Sequence, residues 1–321
     1  MSDKAVVLVA RKLPQAVEAR LARDYDARFN SQDKVYSSDE LIALAEGADA
    51  IIPCHTEKLT APVIARLPAS VRAICSFSVG YDHIDLEAAK ARGITVTNTP
   101  DVLSDATAEI AMLLMLGAAR RAHEGALQIR TDSWAEWSAT HQLGIQVTGK
   151  RLGILGMGRV GQIMARRARG FDMQIHYYNR SRLASDLEFG AVYHDSVEAL
   201  LPNCDFLSIH CPATPETHHL LNAERIALLP DGAVVINTAR GAVVDDDALI
   251  NALGSGKLFA AGLDVFNNEP NIDPRYKQLE NTFLLPHIGS ATRETRDAMG
   301  FRALDNLDAI FSGGEPRDRL V

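Results

Sequence analysis

The chain has 321 residues, 47% hydrophobic and 23% charged, with a formal net charge of -8. These values exclude a disordered chain and leave room for two domains of ordinary size. The acidic balance speaks against a nucleic-acid partner. No apolar run approaches the roughly 20 residues of a membrane span, so a cytoplasmic protein without a membrane partner is expected. Met1 to Lys4 lead into an apolar strand with no signal-peptide pattern, and Cys54, Cys75, Cys204 and Cys211 form no CxxC pair and read as reduced, mostly buried thiols.

From the N-terminus, short apolar runs alternate with amphipathic segments. Strands are expected at Val6 to Val9, Ala27 to Phe29, Ala50 to Ile52, Ala73 to Phe77 and Thr95 to Val96. Between them lie a helix from about Pro14, one opened by the capping-box spacing Ser37-x-x-Glu40, and others near Ala61 to Arg66 and Leu86 to Arg92. This alternation implies a parallel sheet covered on both faces. The pattern breaks at Asn98-Thr99-Pro100-Asp101, where Ser104-Asp105 offers an N-cap for a long apolar helix running towards Arg121. Thr131 to Gly149 has weak periodicity and carries Trp134 and Trp137, either as an interaction surface or as pins for the loop itself.

The second alternation opens on RLGILGMGRVG, Arg151 to Gly161. An apolar run meets Gly156-x-Gly158-x-x-Gly161, and a helical pattern follows at once. In such a turn the first glycine permits the bend, the second lets a pyrophosphate approach, and the third lets helix pack on strand. Six strands are expected: Leu152 to Leu155, Gln174 to Tyr178, Phe206 to Ile209, Ala233 to Asn237, Ala260 to Val265 and Phe283 to Leu285. The fold class is therefore α/β in two domains, a Rossmann dinucleotide-binding domain over 101–289 and a flavodoxin-like α/β substrate domain over 1–100. The last helical segment, Arg293 to Phe311, has no strand after it and is expected to return to the first domain, making that domain discontinuous through 290–321.

The end of the second Rossmann strand bears on the cofactor. An acidic residue about 20 positions past the glycines holds the ribose of NAD. Here Asn179 stands there, followed by Arg180, Ser181 and Arg182. A neutral amide tolerates a 2′-phosphate, guanidinium groups fork onto one, and a serine hydroxyl donates to it, so NADP(H) is expected in preference to NAD(H). Three later strand ends carry Arg240, Glu269 and His287. The C-terminal ends of strands in an open α/β sheet line one crevice, so these residues are expected to converge. Hydride delivered to a carbonyl carbon leaves an alkoxide that needs a proton. His287 suits that acid role, Glu269 would fix its tautomer and favour the protonated ring, and Arg240 would grip a substrate carboxylate and polarise the carbonyl. The pairs His210-Cys211 and His218-His219 lack metal-ligand spacing, and no metal site is expected.

These residues resemble the D-isomer-specific 2-hydroxyacid dehydrogenases, most of all the NADPH-dependent glyoxylate/hydroxypyruvate reductases. The resemblance runs through SVGYDHIDLEAAKARGI (Ser78 to Ile94), GILGMGRVG, HCPATPETHHLLN (His210 to Asn222), INTARGAVVDDDAL (Ile236 to Leu249), GLDVFNNEP (Gly262 to Pro270) and LLPHIGSAT (Leu284 to Thr292). It implies the same roles for Arg240, Glu269 and His287, and adds that backbone amides around Val79 and Gly80 hold the substrate carboxylate. It implies that Thr107, Arg159, Val160, Cys211, Pro212, Thr217, Thr238, Ala239, Asp264 and Gly289 lie near the cofactor. It also implies a homodimer joined through the crossing helix and an arm near 119–149. With the sequence ending at Val321, the regulatory domain that some family members append is not expected. The expected reaction is reduction of a small 2-oxo acid by NADPH; the alternatives are another D-2-hydroxy acid, lactate-like or bulkier, and a dinucleotide-sensing protein like the corepressors that share this fold.

Overall fold

The computed structural model describes residues 4–321, so Met1, Ser2 and Asp3 lie outside the described residues. It divides into two compact units, one ending at Leu103 and resuming over Ser290–Val321, the other spanning Ser104–Gly289.

The first unit is built on five parallel strands, β1 (Val6–Val9), β2 (Asp26–Arg28), β3 (Ala50–Ile52), β4 (Ala73–Cys75) and β5 (Thr95–Thr97). They lie in the order β2-β1-β3-β4-β5, the flavodoxin-like arrangement. The inner strands β1, β3 and β4 are buried on both faces, which is why they read as unbroken apolar runs, whereas the edge strand β2 (Asp26–Arg28) is largely exposed. Leu8, Ile51, Ile74 and Val96 pack to one side, and Val7, Val9, Ile52 and Cys75 to the other. The second face is covered by the helices Gln15–Asp24 and Arg293–Phe311, which approach so closely that a Cβ on Gly300 would fall 2.3 Å from Val17 Cγ2.

The second unit holds seven parallel strands, β6 (Arg151–Leu155), β7 (Gln174–Tyr178), β8 (Val192–His194), β9 (Phe206–Ile209), β10 (Ala233–Asn237), β11 (Leu258–Leu263) and β12 (Thr282–Leu284). Their order, β12-β11-β10-β9-β6-β7-β8, is that of a Rossmann sheet whose strand order reverses between β6 and β9. The sequence reading of six strands misses β8. It is a three-residue edge strand with a largely polar neighbourhood, too short to show a period. The long apolar helix is also two: Ser104–Ala119 ends before Arg121, whose φ of 51° starts a second helix, Ala122–Arg130. The first lies on β11, where a Cβ on Gly262 would stand 2.8 Å from the Leu114 carbonyl. Among the described residues no helix is long and apolar enough to cross a membrane, and all four cysteines are free thiols.

Candidate active site

The glycine turn sits at the β6/β9 reversal, where open α/β sheets bind their ligands. Gly156 has φ 97°, and a Cβ there would lie 2.6 Å from Cys211 N, in the chain leaving β9. At Gly161 a Cβ would meet the Gly156 carbonyl at 2.5 Å. Gly158 differs: nothing lies within 4 Å of its Cβ position, and it caps the helix Arg159–Ala168. Two glycines are thus required by packing, while the third opens space at the N-terminus of a ten-residue helix beginning with Arg159 and Val160. An open cradle facing a helix dipole fits the pyrophosphate of a dinucleotide.

Asn179 braces this turn. Its Oδ1 accepts from Met157 N at 2.6 Å, so the residue read from sequence as a neutral ribose neighbour also fixes the loop. Beyond it Arg180 and Ser181 are exposed. Arg182 is engaged within the unit, donating from Nε and Nη2 to Glu188 at 2.8 and 3.0 Å. Cys211, Pro212 and Thr217 lie along the loop after β9. Thr217 Oγ1 donates to the Pro212 carbonyl at 2.6 Å, and burial pushes the Cys211 thiol up to about 11.

The reactive candidates follow β10, β11 and β12. His287 Nδ1 and Glu269 Oε2 are 2.6 Å apart, with side chains 30% and 24% exposed. The other oxygen, Glu269 Oε1, accepts from Phe266 N at 2.8 Å, so the carboxylate is held at both ends. Bonding at Nδ1 assigns that nitrogen a hydrogen and leaves Nε2 as the one to meet a substrate. Arg240 belongs to the neighbouring loop; Asn237 Nδ2 donates to its carbonyl at 2.9 Å. The next residue, Gly241, packs against the segment leading to Glu269: a Cβ on it would fall 2.0 Å from the Phe266 carbonyl carbon. The Arg240 and Glu269 loops are therefore locked together by backbone contact.

His287 has φ 54°, a left-handed conformation that costs a non-glycine residue about 1 kcal/mol or more. Asp264, 1% exposed, holds it there. Its carbonyl accepts from His287 N at 2.8 Å, Oδ1 from Ile288 N at 2.8 Å, and Oδ2 from Gly289 N at 2.7 Å. Burial raises the Asp264 carboxyl, opposed by those amide hydrogen bonds. Thr107 closes the same corner, 3.5 Å from where a Gly289 Cβ would be. Sequence reading placed Asp264 near the cofactor without finding this clamp, because its partners lie more than 20 residues away.

A second residue acquires a place only in the structure. His210, at the end of β9, pairs through Nε2 with Ser208 Oγ at 2.8 Å and through Nδ1 with Thr238 Oγ1 at 3.4 Å, and burial lowers its pKa to about 4. It is a neutral ring between two hydroxyls. His218 and His219 stack with centroids 4.0 Å apart, and His219 Nδ1 lies 3.8 Å from Asp245 Oδ2. In the first unit, Val79 and Gly80 sit in the loop after β4. Asn98 Nδ2 donates to the Val79 carbonyl at 2.8 Å and Ser78 Oγ to the Gly80 carbonyl at 2.7 Å, which fixes both peptide planes.

Residues 112–289 match the pattern described as "D-isomer specific 2-hydroxyacid dehydrogenase, NAD binding domain". The chain belongs to this family. The dehydrogenase is 46% identical over 315 residues to the glycerate dehydrogenase of Hyphomicrobium methylovorum, covering 98% of each chain. Among solved structures it is similar to one from Polaromonas sp. JS6 66, described as an NAD-binding member of the same family (TM-score 0.94, 49% identity, 99% of this chain and 100% of that one). It is also similar to the NADPH-dependent glyoxylate/hydroxypyruvate reductase of Sinorhizobium meliloti, solved with NADP and malonate (TM-score 0.89, 32% identity, 99% of this chain and 97% of that one). Family and fold together make the protein an oxidoreductase of 2-hydroxy and 2-oxo acids that uses a nicotinamide dinucleotide.

Proposed function

We propose that the dehydrogenase reduces a small 2-oxo acid, glyoxylate or hydroxypyruvate, to the D-2-hydroxy acid with NADPH, His287 serving as general acid. The observation that carries this reading is the 2.6 Å pair of His287 Nδ1 and Glu269 Oε2. A reduced nicotinamide, when bound, supplies the hydride. The protein's task is then to hold the acid and deliver one proton. Glu269 fixes the ring so that Nε2–H donates to the carbonyl oxygen as negative charge develops there. Arg240 binds the substrate carboxylate and polarises the carbonyl, and the amides at Val79 and Gly80 take part in holding that carboxylate.

For the cofactor, Gly156, Gly158, Arg159, Val160 and Gly161 receive the pyrophosphate. Thr107, Cys211, Pro212, Thr217, Thr238, Ala239, Asp264 and Gly289 form the walls. Asn179, Arg180, Ser181 and Arg182 read the adenosine 2′-phosphate, a reading supported by the absence of a carboxylate at Asn179 and by the exposure of Arg180 and Ser181. The malonate and NADP in the Sinorhizobium reductase belong to that protein and are consistent with it. We place a homodimer contact on the arm near 119–149, where Leu127, Ile129, Trp134, Trp137 and Leu143 are exposed, Trp137 by 79%.

The test is oxidation of NADPH and of NADH, followed by absorbance, against glyoxylate, hydroxypyruvate, pyruvate and phenylpyruvate. Glyoxylate and hydroxypyruvate with NADPH should give the highest kcat/KM, and His287→Ala should abolish most turnover while cofactor still binds. A preference for phenylpyruvate, or near wild-type turnover in His287→Ala, overturns the reading.

A further inference from the structure

The loop after β7 holds a side-chain network that the hydride chemistry leaves unused. Glu188, in the short helix Ser185–Glu188, is 6% exposed, yet its carboxylate is fully engaged. Oε1 accepts from the Tyr177 hydroxyl at 2.6 Å and from Arg182 Nε at 2.8 Å, and Oε2 accepts from Arg182 Nη2 at 3.0 Å. Tyr177 in turn accepts from Leu183 N at 3.1 Å, and Arg169, past the end of the glycine-turn helix, donates to the Glu188 carbonyl at 3.0 Å. The Arg182 guanidinium lies 5.7 Å from the Tyr193 ring on β8. The fork of Arg182 and the Tyr177 hydroxyl hold the Glu188 carboxyl down at about 2, so it is ionised at any working pH.

A guanidinium carries five N–H donors in a rigid fork. Glu188 takes the edge made by Nε and Nη2, while the side chain as a whole remains 63% exposed, with Nη1 on its remaining edge. The arginine is therefore ordered on one side and open on the other. Its immediate neighbours in the chain, Arg180 and Ser181, are exposed in the same loop. A flexible arginine loses rotamer freedom when it grips an anion, and one already fixed by a carboxylate does not.

We propose that Glu188 is a specificity-determining positioning residue for the cofactor: by gripping the inner edge of Arg182 it presets the outer edge, with Arg180 and Ser181, to receive the adenosine 2′-phosphate. The inference rests on the NADPH reading and deepens it. A buried carboxylate that does not touch the cofactor then sets the discrimination between NADPH and NADH. Its own charge is spent on Arg182 and does not repel the phosphate, and Arg180 supplies the net positive charge.

Calorimetric titration of the 321-residue chain with NADP+ and NAD+ tests this, alongside KM and kcat. Glu188→Gln should weaken NADP+ binding about tenfold, leave NAD+ within about twofold, and raise KM for NADPH with kcat unchanged. Arg182→Lys keeps the charge and loses the fork. It should show the same selective loss, and it decides the matter if Glu188→Gln fails to fold. Equal weakening of both dinucleotides, which a merely loosened fold would give, overturns the proposal, as does unchanged NADP+ affinity. Arg180→Ala separates the two levels. If it weakens NADP+ selectively while Glu188→Gln does not, the inference alone falls; if wild type binds NAD+ as tightly as NADP+ and Arg180→Ala affects both alike, the NADPH reading falls and the inference with it.

Discussion

Asp264 and Gly289 are joined by a 2.7 Å hydrogen bond from the glycine amide to Oδ2, and the same carboxylate takes the Ile288 amide on Oδ1. Both oxygens of a buried acid are thus used to hold the backbone that carries His287, the proposed general acid. An amide in its place has only one accepting oxygen, and its NH2 would face an N–H. Asp264→Asn should therefore cost about 1–3 kcal/mol of stability and lower kcat, read from thermal denaturation and steady-state kinetics. Wild-type values for both would show that the clamp is dispensable.

The pair of His287 with Glu269 predicts a larger kinetic effect. In Glu269→Gln an oxygen can still accept from Phe266 N, but the NH2 is then aimed at His287 Nδ1, which must become an acceptor. The ring cannot carry hydrogens on both nitrogens in that setting. Turnover should drop about 10²-fold or more, with dinucleotide binding retained. A change of less than about threefold would remove Glu269 from the mechanism.

The glycines separate packing from binding. Gly158→Ala should fold like wild type, because its Cβ meets nothing, and should lose dinucleotide affinity if that space is the proposed pyrophosphate cradle. Gly156→Ala combines φ 97° with a 2.6 Å clash against Cys211 N and should destabilise the fold itself. Soluble expression, melting temperature and calorimetric affinity of the two variants check this. Equal affinity of Gly158→Ala and wild type would refute the cradle.

His210 gives a pH dependence. Its pKa is lowered from 6.5 to about 4 in the fold, so between those values the unfolded chain binds the extra proton. Its contribution to stability is complete above pH 6.5 and is lost as pH falls towards 4. A shift of that size corresponds to at most about 3 kcal/mol, and less because part of the residue reaches solvent. Glu188 works in a lower window: held at about 2 against 4.5, it stabilises fully above 4.5 and loses its effect as pH falls towards 2. Denaturant titrations from pH 7 to pH 4 should therefore show stability falling, and His210→Gln should flatten that slope. An unchanged slope in the variant would mean that His210 is not neutral in the fold.

Much of this protein is legible in one dimension. The glycine turn needs only local spacing, since bend, cradle and helix start fall within six residues, Gly156 to Gly161. Arg240, Glu269 and His287 are legible at one remove, because each follows an apolar run and parallel strands deliver their C-terminal ends to one edge. The α/β alternation fixes the two parallel sheets for the same reason. What stays hidden depends on side chains meeting across distance. Asp264 reads only as a neighbour of the cofactor until its oxygens are seen on Ile288 and Gly289, and His210 reads as a histidine without a role until Ser208 and Thr238 are found flanking it. Arg182 is legible as a candidate phosphate ligand, but that Glu188 holds its inner edge is not. The sequence by itself determined the chemistry available at each strand end, because residue type and backbone period are local properties. Only the tertiary structure decided which of those groups are held, by what, and on which edge, because a hydrogen bond forms only where the packed sheets bring donor and acceptor within about 3 Å.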